Sequence, residues 1–356
     1  MSDRRKEAEE KMAKAIFISA DCWLCVYDLL PASQLGLGIA LISHRFDFYV
    51  SEHFKTRKWT LALIRIRSKI GENGTKKMEI VNCDWKPMPI PQIQMPRKVI
   101  DFKRITITFI DQNAITFLRR FRQLFTACPI NLSINTWNDR ILESILRNIL
   151  PMLGKNIHGM ELSADVFHHL RQFVPSILSN YPSLRVFSIS VADLFIGLPA
   201  DDNAMASNGQ AMAKWLFTPR PDNVPKVIKC WLHMDRVNWA SRIEAFKAAF
   251  ASASSTVNFI AIIRFIPSSF VFSIFVQFDL INELTREQLA LKRINNNTYY
   301  FLLVRCPIAR DESKWAKWEE EAIDWNFFDQ SNQINIHICE DEIGDGLLDA
   351  MPGPSD

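Results

Sequence analysis

Few residues in this 356-residue chain are spaced for chemistry. Cys22-x-x-Cys25 has the spacing of a redox dithiol or of half a zinc site. A zinc ion needs two more ligands, and the near candidates are His44 and His53. His168 and His169 are consecutive on a predicted helix, so their rings point in different directions and do not share a metal. His158 and His233 stand alone at strand ends. Asp201-Asp202 and Glu319-Glu320-Glu321 fall on a predicted loop or exposed helix and read as solvated charge, since an acid–base pair is identified by geometry and not by adjacency in sequence. The eleven glycines fall in no GxGxxG, GxxxxGK[ST] or GxSxG order. The expectation is a chain with no catalytic residue, no metal ligand set and no cofactor.

Composition narrows the classes further. Charge is nearly balanced at +3, with 48% hydrophobic residues. Eleven Asp and Glu and no Lys or Arg follow Lys317, so an acidic tail ends a mildly basic chain. No dense basic patch of the kind that grips a phosphate backbone stands out, so nucleic acid is not an expected partner. No stretch approaches the roughly 20 apolar residues of a membrane span. The best candidate, 259–278, is broken by Arg264, Pro267, Ser268, Ser269 and Gln277. The charged start, MSDRRKEAEEKMAKA, lacks the apolar run of a signal peptide. A cytoplasmic or nuclear protein without membrane contact is expected, with its seven scattered cysteines reduced and mostly buried. The sequons at Asn73, Asn131 and Asn296 are then without consequence.

These side chains must be positioned by two kinds of element. From Ile18 to Phe54 the apolar spacing is helical. A first helix carries Trp23, Val26, Tyr27, Leu29 and Leu30, with Asp21 near its positive end. A second, capped by Ser33, carries Leu35, Ile39 and Ile42. A third runs from His44 to Phe54. The period then changes to two. Residues 59–69 and 78–83 read as strands joined by a turn at Asn73-Gly74, a strong hairpin signal. Four prolines between Pro87 and Pro96 make an extended linker.

Beyond Val99, strands at 104–109, 131–134, 159–162 and 184–189 alternate with apolar-faced helices about every 25 to 28 residues. Cys128-Pro129 and Tyr181-Pro182 end helices just before strands. The spacing lengthens toward strands at 227–233, 258–265 and 299–305, with helices at 205–217 and 239–253 and an insertion at 193–203. A last helix, 313–323, and Trp325 add aromatic core through Trp315, Trp318 and Trp325. An edge strand is expected at 334–338, followed by a tail with no reason to order.

Two resemblances follow from these residues. The run Ile18-Ser19-Ala20-Asp21, Cys22-Trp23, Val26-Tyr27, Leu29-Leu30, Leu35 and Ile42-Ser43-His44-Arg45-Phe46 resembles the F-box pattern in order and spacing over about forty residues. It departs at Ser19, where that family usually has Pro. Cys22 falls on an apolar position of the pattern, so packing is its expected role. Longer phrases, Ile42 to Phe54, Glu283 to Leu289, Arg305 to Asp311 and Lys314 to Trp318, are similar to the divergent F-box proteins of nematodes, including plant-parasitic species. The period of the body resembles leucine-rich repeats, without a regular Asn or Cys ladder.

The resemblance implies an α/β chain in five parts. These are a lead-in (1–14), a three-helix F-box (15–56), a hairpin and Pro-rich linker (57–98), a leucine-rich-repeat-like body with irregular C-terminal units (99–326), and an acidic tail (327–356). It further implies a substrate-recognition subunit of a Skp–cullin–F-box ubiquitin ligase, and no enzyme. Ile18, Asp21, Trp23, Val26, Tyr27, Leu30, Leu35 and Ile42 would face or support the Skp-type adaptor. Outward strand residues Thr106, Thr108, Ser133, Asn135, Glu161, Ser163 and Arg185 would line the substrate face. Two other readings are a non-ligase interaction scaffold of the same fold and an uncharacterised α/β enzyme.

Overall fold

A computed structural model describes residues 18–30, 35, 39–56, 59–71, 74–82, 85, 87, 99–136, 138–190, 199–233, 239–266, 277–295 and 299–344. The charged lead-in, most of the second N-terminal helix, Asn73, most of the Pro-rich linker, the first part of the insertion at 193–203 and the end of the tail lie outside them. The chain divides into two compact units, Met1–Leu61 with Pro96–Ile100, and Ala62–Met95 with Asp101–Asp356.

The first unit is helical. Helix α1 (Ala20–Tyr27) starts at Ser19, whose side chain accepts a hydrogen bond from the Cys22 N–H. The residue that departs from the expected Pro therefore does a capping job that Pro cannot do. Asp21 sits in the first turn, where a carboxylate is favoured. A 3₁₀ turn at Ile39–Leu41 precedes α2 (His44–Thr56). Tyr27, Leu35 and Val50 form the unit's closed centre, with Trp23, Leu30, Phe46 and Phe54 half-buried around them. Trp23 meets Phe46 edge-on at 4.8 Å, which ties α1 to α2.

The second unit is mixed α/β. Its strands are β1 (Trp59–Ile70), β2 (Lys76–Val81), β3 (Val99–Ile107), β4 (Ile130–Asn135), β5 (Ile157–Ser163) and β6 (Val186–Ser190), then β7 (Lys226–His233), β8 (Phe259–Ile266), β9 (Phe278–Asn282), β10 (Glu287–Arg293), β11 (Tyr300–Pro307) and β12 (Gln333–His337). Among the described residues these twelve form one sheet in the order β2-β1-β3-β12-β4-β5-β6-β7-β8-β11-β10-β9. Strands β3, β12 and β4 to β8 are parallel. The antiparallel β1–β2 hairpin turns at Gly74, whose φ of +74° suits a residue without Cβ.

Helices separate the parallel strands. They are α3 (Gln112–Arg120), α4 (Arg122–Ala127), α5 (Asp139–Ser144), α6 (Leu150–Leu153), α7 (Ala164–Phe173), α8 (Asn208–Phe217) and α9 (Trp239–Ala251), with a π turn at Ile145–Ile149 between α5 and α6. A last helix, α10 (Glu312–Asp324), begins at Asp311, whose side chain accepts from the Lys314 N–H. Successive strand residues serve opposite faces. Phe187 packs on Phe167 of α7 at 5.3 Å and on Trp215 of α8 at 5.9 Å. Its neighbour Val186 joins Val227, Ile260, Ile262, Leu302 and Val304 on the other face, beneath Trp315 and Ala322 of α10. Trp318 and Trp325 complete that cover.

Two expectations are corrected. The strand near 334–338 is not an edge: β12 lies inside the sheet between β3 and β4, parallel to both, with Gln333, Ile334 and Ile336 buried. Residues 327–344 accordingly belong to the body and not to a tail. The alternation Gln-Ile-Asn-Ile-His looks the same for an edge and for an interior strand with one polar face, so the pattern alone could not place it. The segment 278–293, assigned no strands from sequence, is the antiparallel β9–β10 hairpin. Asn282 shapes its turn by accepting from the Leu284 and Thr285 N–H groups while donating to the Phe250 and Ala253 carbonyls.

Candidate functional site

The parallel register lines up polar residues across one sheet face. Thr106, Asn335, Ser133, Glu161, Ser188 and Lys229 stand in one row on β3, β12, β4, β5, β6 and β7. Two residues further along, Ser163, Ser190 and Trp231 are paired across β5, β6 and β7, with Asn135 on β4 sharing their parity. Between the two rows lies a cleft of about 320 Å³, lined by Ser133, Asn135, Glu161, Ser163, Ser188, Ser190 and Trp231, together with Ile134 and Leu162. That is the lower end of the size range of ligand sites.

Four of the seven residues expected on a substrate face, Ser133, Asn135, Glu161 and Ser163, meet in this cleft. The other three do not. Thr106 is buried. Thr108 donates its hydroxyl to the Ile66 carbonyl at 3.1 Å, which ties β1 to the end of β3. Arg185 pairs with Glu321 of α10 at 3.1 Å. Ser188, Ser190 and Trp231 were missed, although the alternation within β6 and β7 puts them on the parity of Glu161 and Ser163. Taking Arg185 as outward set the opposite parity for that strand, whereas the register pairs Ser188 with Glu161 and Ser190 with Ser163.

Glu161 is the cleft's charged group. Burial lifts its carboxyl above the ordinary value, against the opposing pull of the Ser188 hydroxyl hydrogen bond and of Lys229. Lys229 is held away by α10: its Nζ donates to the carbonyls of Ile323 at 3.0 Å and Trp325 at 2.6 Å. Burial pushes the Lys229 amine down to about 8. Trp325 closes the neighbouring part of the face by lying over Gly159, where a Cβ would come within 3.0 Å of its ring. The lining offers hydroxyls, an amide, one carboxylate and an indole, which suits binding by hydrogen bonds and stacking.

The residues expected to meet an adaptor split into two sets. Ile18 (38% exposed), Val26 (43%) and Ile42 (67%) face solvent, as does Asp21. Tyr27 and Leu35 are fully buried and Trp23 and Leu30 half-buried, so these four support the unit from within and do not present themselves to a partner. Leu29, one turn beyond Val26, is 84% exposed and was not among the expected contacts. Cys22 and Cys25 are exposed free thiols, which corrects the expected packing role of Cys22. Cys128, Cys230 and Cys306 are buried, while Cys339 is exposed.

Other suspected chemistry resolves into structure. His169 Nδ1 meets Asp139 Oδ1 at 2.6 Å, tying α7 to α5. His158 is pushed down to about 4, first by burial and then by Arg185 and Arg220, so it is neutral at ordinary pH. Among the described residues, no three His, Cys, Asp or Glu side chains are placed to hold a metal ion, and no helix is long and apolar enough to cross a membrane. No protein-family model matches the chain, nor does any curated protein or solved structure.

Proposed function

We propose that the chain is the substrate-recognition subunit of a Skp–cullin–F-box ubiquitin ligase. The helical unit is then an F-box that docks on the Skp-type adaptor, and the adaptor links it to the cullin scaffold. The sheet body, read as a leucine-rich-repeat-like array with irregular C-terminal units, recruits a protein substrate. The chain does no chemistry in this reading. It holds a target beside a ubiquitin-loaded enzyme carried elsewhere in the ligase and raises its effective concentration. Neither nucleic acid nor membrane takes part, and the chain works in the cytoplasm or nucleus.

One observation carries the reading. Within the helical unit, Tyr27, Leu35 and Val50 close the centre while Val26, Leu29 and Ile42 stay in solvent, at positions of the F-box pattern. Large apolar side chains left exposed on a small helical unit fit docking into a groove of partner helices. The burial of Tyr27 and Leu35 supports a second reading, in which the unit is self-contained and the chain is an interaction scaffold outside any ligase.

Co-expression with a Skp-type adaptor separates the two. The ligase reading expects a stoichiometric complex that Val26→Asp and Ile42→Asp each abolish. A folded chain that never captures the adaptor leaves the scaffold reading. Tyr27→Asp is unsuited to this purpose, because a charge at a closed position tests folding and not docking.

A further inference from the structure

We propose that the cleft on the sheet face seats a cationic side chain, arginine or lysine, of a protein partner. The proposal rests on reading the sheet face as the recruiting surface, and it names the chemistry that surface takes.

The lining is rich in acceptors. Glu161 accepts only; Ser133, Ser188, Ser190 and Asn135 can all accept; Trp231, 45% exposed, offers the part of its ring that Arg264 leaves open. A guanidinium or ammonium group is the complement, since it donates only and is attracted to indole faces. The Ser163 hydroxyl is already engaged, accepting from the Val166 N–H at the start of α7.

Charge points the same way. Glu161 is the lining's one ionisable group, and its burial disfavours the charged form. Two cations of the neighbouring strands already have partners. Lys229 is bound by the Ile323 and Trp325 carbonyls. Arg264, paired with Trp231 in the sheet, lies over the Trp231 ring at 6.0 Å. A visiting cation would add a charge-assisted hydrogen bond at Glu161 to the neutral one from the Ser188 hydroxyl.

A side chain on a polypeptide fits better than a free amine. Asn135, Ser190 and Trp231 are exposed at the rim, so a chain can cross the opening with one residue inserted. The polar row also continues past the cleft through Asn335 on β12, which provides further hydrogen-bonding positions along a peptide.

The test is calorimetric titration of the full chain with acetyl-Gly-Gly-Arg-Gly-Gly-amide, with its citrulline counterpart and with agmatine. Citrulline keeps the shape of arginine without the charge. The arginine peptide is expected to bind, with the citrulline peptide and agmatine each roughly tenfold weaker or more. Glu161→Gln, which keeps the side-chain shape, is expected to lower arginine-peptide affinity by roughly tenfold or more, and Trp231→Ala by a smaller factor. Equal binding of the arginine and citrulline peptides, an unchanged affinity in Glu161→Gln, no binding of either peptide, or agmatine binding as tightly as the peptide would each overturn the proposal. Adaptor capture by the wild-type chain is scored separately, so failure of the peptide and failure of the ligase reading are told apart.

Discussion

In the helical unit, Leu29 and Ile42 stand in solvent while Tyr27 and Leu35 are closed. Along β4 to β8 of the sheet body, Leu132, Ile134, Met160, Leu162, Phe187, Ile228 and Ile263 are all buried, and the open cleft is lined by Ser, Asn and Glu with one aromatic ring, Trp231. Even within one sheet face the contrast recurs. Val186, Val227, Ile260 and Ile262 lie under α10, while Ser133, Glu161 and Ser188 line the open cleft. In the parallel centre of the sheet the apolar side chains lie under helices and the open cleft is mostly polar, whereas the small helical unit leaves Val26, Leu29 and Ile42 uncovered. Apolar surface that a fold leaves uncovered points outward to a partner.

Substitutions should separate the two units by size and by kind of effect. The largest loss is expected where the body buries charge. Arg305 donates to Glu287 at 2.7 Å, and Glu287 also accepts from the Val257 N–H at 2.6 Å, with both side chains closed. Arg305→Met strands that carboxylate and is expected to cost about 3–5 kcal/mol in chemical denaturation. Phe102→Ala removes a closed ring that meets Phe125 edge-on at 5.8 Å, with a similar expected cost of about 3–5 kcal/mol. If either variant spares the body's stability, the account of its packing is wrong.

A smaller effect concerns the lock between β7 and α10. An amine whose folded pKa lies below its unfolded value binds fewer protons in the native state, so stability rises with pH between the two values. For Lys229 that window runs from about 8 up to the ordinary 10.5, and burial gives Lys226 the same window. Denaturation midpoints followed from pH 8 to 10 should rise less in Lys229→Met than in wild type. Parallel curves would show that the ammonium is not desolvated under α10.

The smallest effect belongs to the helical unit's closed centre. The Tyr27 hydroxyl is buried with no hydrogen-bond partner among the described residues, and burial, with Tyr49 adding, raises its pKa. Removing a buried group that lacks a partner is near neutral or stabilising, so Tyr27→Phe should shift stability by less than about 1 kcal/mol, upward if at all. A clear loss would mean that the hydroxyl has a partner in the native unit.

Periodicity made much of this fold readable. Strands β3 to β6 and the helices between them are readable from the 25- to 28-residue recurrence, because strand runs and apolar helix faces must alternate to cover a sheet, whereas the parallel strands β7, β8 and β12 fall outside it. The β1–β2 hairpin follows from Asn73-Gly74 and the change of period. What stayed hidden depends on pairing. β12 and the β9–β10 hairpin are short, and their places in the order β3-β12-β4 and β11-β10-β9 are fixed by contacts hundreds or tens of residues away. Half of the cleft was visible as outward-facing Ser133, Asn135, Glu161 and Ser163. The other half required the register that brings Ser188, Ser190 and Trp231 beside them. On the helical unit, amphipathic spacing named the apolar positions but not which of them turn inward: Tyr27 is closed and Leu29 is exposed.

The most direct measurement is the affinity of the full chain for a purified Skp-type adaptor, compared across wild type, Leu29→Asp and Val26→Asp. Both substitutions sit on exposed positions and should change stability by no more than about 0.5 kcal/mol. The account predicts a tight wild-type complex that both variants lose while their unfolding midpoints stay put. Adaptor binding that survives both substitutions, or a stable wild-type chain that does not bind at all, would contradict it.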